Sequence, residues 1–350
     1  MPLSLTCYIC PECNSALPIH DNGGYFRCER CGAAWPLVDS VPVFTRNPTY
    51  WKSAPRELLS SLLDSASNSG WRTAITHYAE SEGTGYTEKY MIDEGRGDWF
   101  LFVASKARPD VLDIGAGYGA ISIALSKWSN MVVSTDLNLE SSRLLRLRAR
   151  ESGCENVRPV VTGPLGVSRL PFATESFDIV VMNGVLEWVG LADLSRPVRD
   201  VQLDALLEAK RVLAPGGRLY VGIENRLSWS VIRGDVGHQG IRYLDAMPRV
   251  ISNWICKRMG IQEGFRAHTY TPLGYSKLLA RAGFRITMYL HLFPTYRDPD
   301  FACPAHQRGA VRFISTAYSR GLKRLGLRVS EIFGLDRYLV YGVGLLAERM

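Results

Sequence analysis

From Val111 onward, short continuous apolar runs alternate with amphipathic stretches, which predicts strand–helix repeats feeding a mostly parallel sheet. The apolar runs predict strands over 111–114, 131–136, 157–162, 177–182 and 218–224. The 3.6-period stretches between them predict helices over 120–128, 139–152 and 201–213. Ala214-Pro215-Gly216-Gly217 reads as a tight turn ahead of the fifth strand. Residues 272–282 predict a helix ended by Gly283, residues 284–292 a sixth strand and residues 338–348 a closing apolar strand. Ahead of these repeats, helical spacing over 56–63 and 74–80 follows a polar connection at Asn47-Pro48. The expected fold class is α/β, with an antiparallel terminal strand on a mostly parallel sheet and a small module in front of it.

The chemistry starts at Val111-Leu112-Asp113-Ile114-Gly115-Ala116-Gly117-Tyr118-Gly119, where an apolar strand runs through three glycines into a helix. Glycines in a strand-to-helix turn tolerate positive φ and let the backbone approach a ligand closely. The next apolar run closes on Asp136, where a carboxylate can accept both hydroxyls of a ribose. An adenosine-type cofactor follows. Gly115 to Ala120 also satisfies the loose dinucleotide pattern, so NAD or another nucleotide remains the alternative, beside a purely structural turn. Asp113 favours S-adenosylmethionine: dinucleotide sites usually carry an apolar residue there, whereas a carboxylate suits the cationic amino group of methionine. A packing turn requires acids at neither Asp113 nor Asp136. The candidate cofactor residues are Asp113, Gly115, Gly117, Gly119, Asp136, Leu137 and Asn183.

Near the N-terminus, Cys10-Pro11-Glu12-Cys13 and Cys28-Glu29-Arg30-Cys31 form two C-x-x-C knuckles. Two such turns place four thiolates tetrahedrally, which suits a closed, structural Zn²⁺ site on Cys10, Cys13, Cys28 and Cys31. Cys7 also lies three positions before Cys10; Pro11 and the polar turn after it favour the Cys10–Cys13 pair.

Charge changes the picture modestly. The 350-residue chain carries net +7 and is 46% hydrophobic, so a sizeable core forms without disulfides. No run of 18 apolar residues predicts a transmembrane helix, and cysteines stand where a signal peptide needs its apolar stretch, so a reducing, cytoplasmic setting is expected. Arg143, Arg146, Arg148 and Arg150 read as a solvated helix face. Arg308, Arg312, Arg320, Lys323, Arg324 and Arg328 accompany an apolar face of Phe313, Ala317, Leu322 and Leu325. That stretch suits helix packing, with peripheral contact to an anionic membrane or a phosphate-rich substrate as the alternative.

Taken together, the Asp113–Gly119 loop, Asp136, Leu170-Pro171-Phe172 with Ser176-Phe177-Asp178, and Pro215-Gly216-Gly217 resemble class I S-adenosylmethionine-dependent methyltransferases over about residues 85–350. The resemblance implies a Rossmann-like sheet and one-carbon transfer. Residues 7–45, with Ala34-Trp35-Pro36-Leu37 after the second knuckle, resemble zinc ribbons of methyltransferase activators and the ribbons fused before bacterial methyltransferases. The domains implied are a zinc ribbon over 1–45, helices over 46–107 and the methyltransferase over 108–350. Asn183-Gly184-Val185-Leu186-Glu187-Trp188-Val189, Gly222-Ile223-Glu224-Asn225-Arg226 and Phe293-Pro294-Thr295-Tyr296-Arg297-Asp298-Pro299 resemble a bacterial subgroup assigned to sugar, polysaccharide or natural-product methylation. Where many relatives carry an adenine-binding Asp after the third strand, Val161-Thr162-Gly163-Pro164-Leu165 has no acid. Backbone near Gly163–Gly166, or apolar sandwiching by Leu137, takes its place.

Methyl transfer is an in-line displacement at a sulfonium, helped by a general base when the acceptor is an alcohol. The segment at about 225–270 is too long for a simple connection and predicts a substrate lid. Glu187 and Trp188, just after the fourth strand, and Glu224 and Asn225, after the fifth, lie where open α/β sheets bind ligands. His238 or His268 is the expected base with Glu224 orienting it, and Arg226, Arg242 and Arg249 are candidate anion contacts. The expected acceptor is a sugar, glycan or other small molecule, anionic or lipid-linked where those arginines bind it. Methylation of rRNA or tRNA, and a non-catalytic cofactor-binding partner, are the rival classes.

Overall fold

The structure is a computed structural model that describes residues 8–17, 24–50, 54–80, 88–104, 106–307, 329, 332 and 334–350. Cys7 and the basic 308–328 stretch lie outside the described residues. The chain divides into two compact units, Met1–Met182 with Leu207–Arg218, and Asn183–Leu206 with Leu219–Met350.

The first unit contains β1 (Tyr25–Arg27), β2 (Ala34–Val38), β3 (Val41–Phe44), β4 (Asp110–Ile114), β5 (Met131–Asp136), β6 (Val157–Thr162) and β7 (Phe177–Asn183, through Met182). Its sheet order is β1-β2-β3-β6-β5-β4-β7. Every pair from β3 to β7 is parallel, and β1-β2-β3 is antiparallel. β4 is buried at four successive positions, as a strand covered on both faces must be. Helices α1 (Arg56–Ser69), α2 (Trp71–Glu80), α3 (Glu88–Ile92), α4 (Phe100–Val103), α5 (Ala120–Ser126) and α6 (Leu139–Glu151) complete it. A core of Leu59, Leu62, Leu63, Ile75 and Met91 reaches Leu144 on α6.

The N-terminal module is continuous with this sheet. β3 pairs with β6 through Val43↔Val161 and Phe44↔Thr162, and Val41, Val43 and Val161 share one buried cluster. The Tyr8 ring lies 5.0 Å from Phe44, 5.6 Å from Phe26 and 5.9 Å from Phe172, between centroids. The Ile9 N–H donates to Pro171 O at 3.0 Å. Arg148 corrects the solvated-face reading of its cluster: it is fully buried on α6 and stacks over Trp71 at 4.2 Å. Its guanidinium donates to the carbonyls of Met91, Tyr118 and Ile92.

α7 (Val198–Val212) and β8 (Leu213–Glu224) each pass from one unit into the other. Ala214-Pro215-Gly216-Gly217, expected as a turn before the strand, lies inside β8, with Gly216 at φ 74°. The second unit adds α8 (Trp229–Ile232), α9 (Arg249–Arg258), α10 (Pro272–Arg281), β9 (Phe284–Phe293), β10 (Phe301–Pro304), α11 (Asp336–Leu339) and β11 (Gly342–Arg349). Its strand order is β8-β11-β9-β10, and β9 is antiparallel to both neighbours. The closing strand begins at Gly342, because the short α11 takes Tyr338 and Leu339 from the expected 338–348 run. A bridge between Asn225 and Tyr270 pins the two ends of the 225–270 segment together. The whole is a Rossmann-like, mostly parallel α/β fold with antiparallel terminal strands.

Candidate functional site

The glycine loop leaves β4 with Gly115, Gly117 and Gly119 at φ 72°, 53° and 82°. Gly115 and Ala116 N–H both donate to Thr135 O, tying the loop to the end of β5. A Cβ at Gly119 would sit 2.1 Å from Leu145 Cδ1, whereas one at Gly117 would meet nothing within 4 Å. The first glycine is required by packing. The second leaves the turn open, as a backbone that receives a ligand has to be.

Asp136 Oδ2 accepts the Gly117 N–H at 2.8 Å, and Oδ1 accepts the Leu137 N–H at 2.7 Å and Asn138 Nδ2 at 3.2 Å. Burial pushes its pKa up while those donors pull it down. Asp113 is only 2% exposed and accepts from Ser122 Oγ at 2.6 Å; Ser122 in turn accepts from Ser134. Burial raises the Asp113 carboxyl to about 7. Asp113 is therefore turned towards α5, and the loop's open side is made by Gly117 and Asp136. Leu137 is half-buried beside Asp136.

In the second unit, Asn183 packs over Gly222, where a Cβ would meet its Oδ1 at 1.9 Å. Both polar atoms of the Asn183 side chain are buried without a protein partner. The same unit holds a cluster of buried ionisable groups. His238 Nδ1 lies 3.1 Å from Glu224 Oε2, close but not aligned as a hydrogen bond, and His238 Nε2 lies 4.0 Å from Glu187 Oε1. The imidazole meets the Trp188 indole edge to face at 4.6 Å. Tyr341 Oη donates to Glu224 Oε1 at 3.0 Å, and Tyr296 Oη donates to Glu187 Oε1 at 3.1 Å. Arg297 approaches Glu224 Oε1 at 3.5 Å with its side chain 44% exposed, which makes it the open edge of the cluster.

Burial, reinforced by the Arg297 charge, lowers the His238 pKa to about 4, so the ring is neutral near pH 7. Burial and then the Glu224 charge raise Glu187 to about 8, which keeps that carboxyl protonated. A small cavity of about 20 Å³, room for one water, is lined by Glu224, Asp245, Thr269 and Tyr341.

The structure thus brings His238 and Glu224 together and gives His268 a different environment. The His268 ring packs on Phe265 and contacts Phe265 O at 3.2 Å, and its carbonyl accepts from Gln202 Nε2. Arg226, Arg242 and Arg249, expected as anion contacts, donate to the carbonyls of Asp245, Gly234 and Thr269. Those bonds hold the 225–270 segment in shape. Asp245 and Tyr341 were not singled out by sequence. Tyr341 is 117 positions from the carboxylate it serves, and only the β11 register places it there.

Cys10, Cys13, Cys28 and Cys31 present sulfurs all within 4.8 Å of one another, with Cys10–Cys31 at 3.6 Å and Cys13–Cys28 at 3.4 Å. A tetrahedral Zn–S₄ site has sulfur–sulfur edges of about 3.8 Å, so the donor set fits a zinc ion.

Residues 112–221 match the family described as a methyltransferase domain. The ubiquinone/menaquinone biosynthesis C-methyltransferase UbiE of Roseobacter denitrificans is 35% identical over 126 residues, 35% of this chain and 44% of that protein. The same enzyme from Cereibacter sphaeroides (strain ATCC 17029) is 25% identical over 195 residues, 56% of this chain and 72% of that protein. An S-adenosylmethionine-dependent methyltransferase from Aquifex aeolicus superposes with a TM-score of 0.44 at 14% identity, over 80% of this chain and 98% of its own. The chain spans less than half the length of the first of these relatives. The match over residues 112–221 is to a methyltransferase domain, and it lies on the Rossmann-like sheet.

Proposed function

We propose that this protein methylates a hydroxyl of a small-molecule acceptor, a sugar or glycan foremost, with His238 as general base. The observation that carries this reading is the buried His238 between Glu224 and Glu187. S-adenosylmethionine, when bound at the Gly117 turn and Asp136, supplies an electrophilic methyl group. The protein's share is to align the acceptor and take its proton. Neutral His238 accepts that proton on Nε2. Glu224, 3.1 Å from Nδ1, stabilises the imidazolium that forms, and Tyr341 and Arg297 hold Glu224 in place. Arg297, the exposed member of the cluster, meets any anionic group on the acceptor. Asn183 offers unpartnered amide and carbonyl groups to the cofactor, Leu137 an apolar surface to its adenine, and Asp113 acts through Ser122 on the loop. Zn²⁺ on Cys10, Cys13, Cys28 and Cys31 is structural.

The relatives named as C-methyltransferases support a second acceptor class, an electron-rich ring carbon of a phenol or hydroquinone. The same base serves there by removing the ring hydroxyl's proton.

Calorimetry of S-adenosylmethionine against wild type and Asp136→Ala, with NAD as control, tests the cofactor. S-adenosylhomocysteine release with sugars, nucleotide-sugars, hydroquinones and RNA as acceptors then tests the reaction. The reading expects tight binding lost in Asp136→Ala and turnover lost in His238→Ala. Turnover with RNA alone, or binding without turnover on any acceptor, would overturn it.

A further inference from the structure

Exposed large apolar side chains are concentrated in one part of the second unit. Residues 225–270 make up about an eighth of the chain and hold eight of the twenty such side chains among the described residues. Scattered exposure of this kind is ordinary, whereas a contiguous patch marks a contact surface. Three of the eight, Val250, Ile251 and Trp254, lie on α9. Its Ser252 and Cys256 are buried, and Cys256 packs with Leu244 and Phe265. On the opposite face Val250 is 82% exposed, Trp254 63% and Ile251 47%. At about 100° per residue, Val250, Ile251, Trp254, Lys257 and Arg258 fall within an arc of about 120°. Lys257 and Arg258 are also exposed, so two cations lie among three apolar side chains, one of them an indole. The 225–270 segment carries seven Lys and Arg against three Asp and Glu.

A second copy of this chain would bring Lys257 and Arg258 towards their own like charges across a two-fold interface, and an apolar protein groove would leave them unmatched. An anionic lipid surface satisfies both halves of the pattern: acyl chains take Val250, Ile251 and Trp254, and headgroups take the cations. We propose that the outer face of α9 docks this protein on anionic membranes. The inference does not depend on which acceptor is methylated.

Flotation of the full chain with vesicles of phosphatidylcholine alone, or mixed equally with phosphatidylglycerol, tests the proposal. Wild type should float with the mixed vesicles and not with the neutral ones, and binding should weaken in high salt. Each cation near an anionic surface changes the partition constant about fivefold, so Lys257→Gln with Arg258→Gln should weaken binding about 25-fold. Val250→Ser with Trp254→Ser should weaken it about tenfold or more. All four positions are exposed, so wild-type melting temperatures for both variants exclude misfolding as the cause. Equal binding to the two vesicle types, or binding that neither variant weakens, would overturn the proposal. So would a dimer that Trp254→Ser splits in a protein that binds no vesicles, since the face then belongs to a second copy.

Discussion

A carboxyl as enclosed as Glu187 must either hold a proton or meet a counter-charge; burial and the Glu224 charge favour the proton, and Arg297 opposes them more weakly. The proton wins. Burial lifts Glu187 from the ordinary glutamate value to about 8, so the folded protein keeps a proton that the unfolded chain releases above about 4.5. A group raised in this way favours the folded state below its unfolded pKa and loses that advantage as pH climbs through its folded one. Stability should therefore decline from about pH 4.5 to about pH 8, with a slope of up to about 1.4 kcal/mol per pH unit from this residue. Glu187→Gln keeps an acceptor for Tyr296 and removes the titration. Its melting temperature, measured from pH 5 to pH 8, should exceed that of wild type increasingly towards pH 8; parallel curves would refute the assignment. His238 runs the other way. Its depressed folded pKa means that stability is full above about 6.5 and falls as pH drops through about 4. The pH profile of kcat/KM should accordingly lose activity on the acid side near pH 4, and His268→Ala should leave that limb in place. Glu187 and Glu224 were singled out because they follow or close the fourth and fifth strands, where open α/β sheets bind ligands. The roles of Tyr296, Arg297 and Tyr341 were not legible, since each meets a carboxylate far away in the chain.

The glycine turn allows a test at the level of one element. Gly117 and Gly119 both have positive φ, but only Gly119 is crowded, by Leu145 on α6. Gly119→Ala forces a side chain against Leu145 in a left-handed backbone and should cost about 2–4 kcal/mol, read as a lower denaturation midpoint. Gly117→Ala pays only the left-handed cost of about 1 kcal/mol, yet it places a methyl group on the loop's open side. It should stay folded and lose most S-adenosylmethionine affinity in calorimetry; unchanged affinity would mean that the cofactor does not approach there. The strands over 131–136 and 157–162 match the expected bounds, marked by the buried β-branched pairs Val132-Val133 and Val160-Val161. The start of β8 does not. Pro215-Gly216-Gly217 carries turn chemistry, and it is the packing around Gly217, where a Cβ would meet Asp178 O at 2.9 Å, that holds it as strand. Arg148 escaped for a related reason: periodicity locates a polar stripe but does not show that three backbone carbonyls wait beneath one of its members.

For the molecule as a whole, the zinc-ribbon resemblance foresaw a separate module, and the β3–β6 pairing makes that module the edge of the sheet in the first unit. A zinc ion held there, as proposed, would contribute beyond the N-terminal module. Without an ion the four thiols have no reason to stay together, and a structural zinc returns its binding energy as folding energy. Elemental analysis of the wild type should find one zinc per chain, and Cys10→Ser with Cys13→Ser should lose it and lower the melting temperature by several degrees. Trp35, buried against Phe44 and stacked under Arg46 at 5.0 Å, should shift its emission to the red as the edge opens. The cofactor loop leaves β4, which is separated from β3 by β6 and β5. Loss of the ribbon should therefore disturb β6 first and leave S-adenosylmethionine affinity at 10 °C within about twofold of wild type, since sites without shared partners behave nearly additively. If affinity instead falls in step with zinc content, the ribbon helps to form the cofactor site, and the metal would have to be counted among the groups that position the methyl donor.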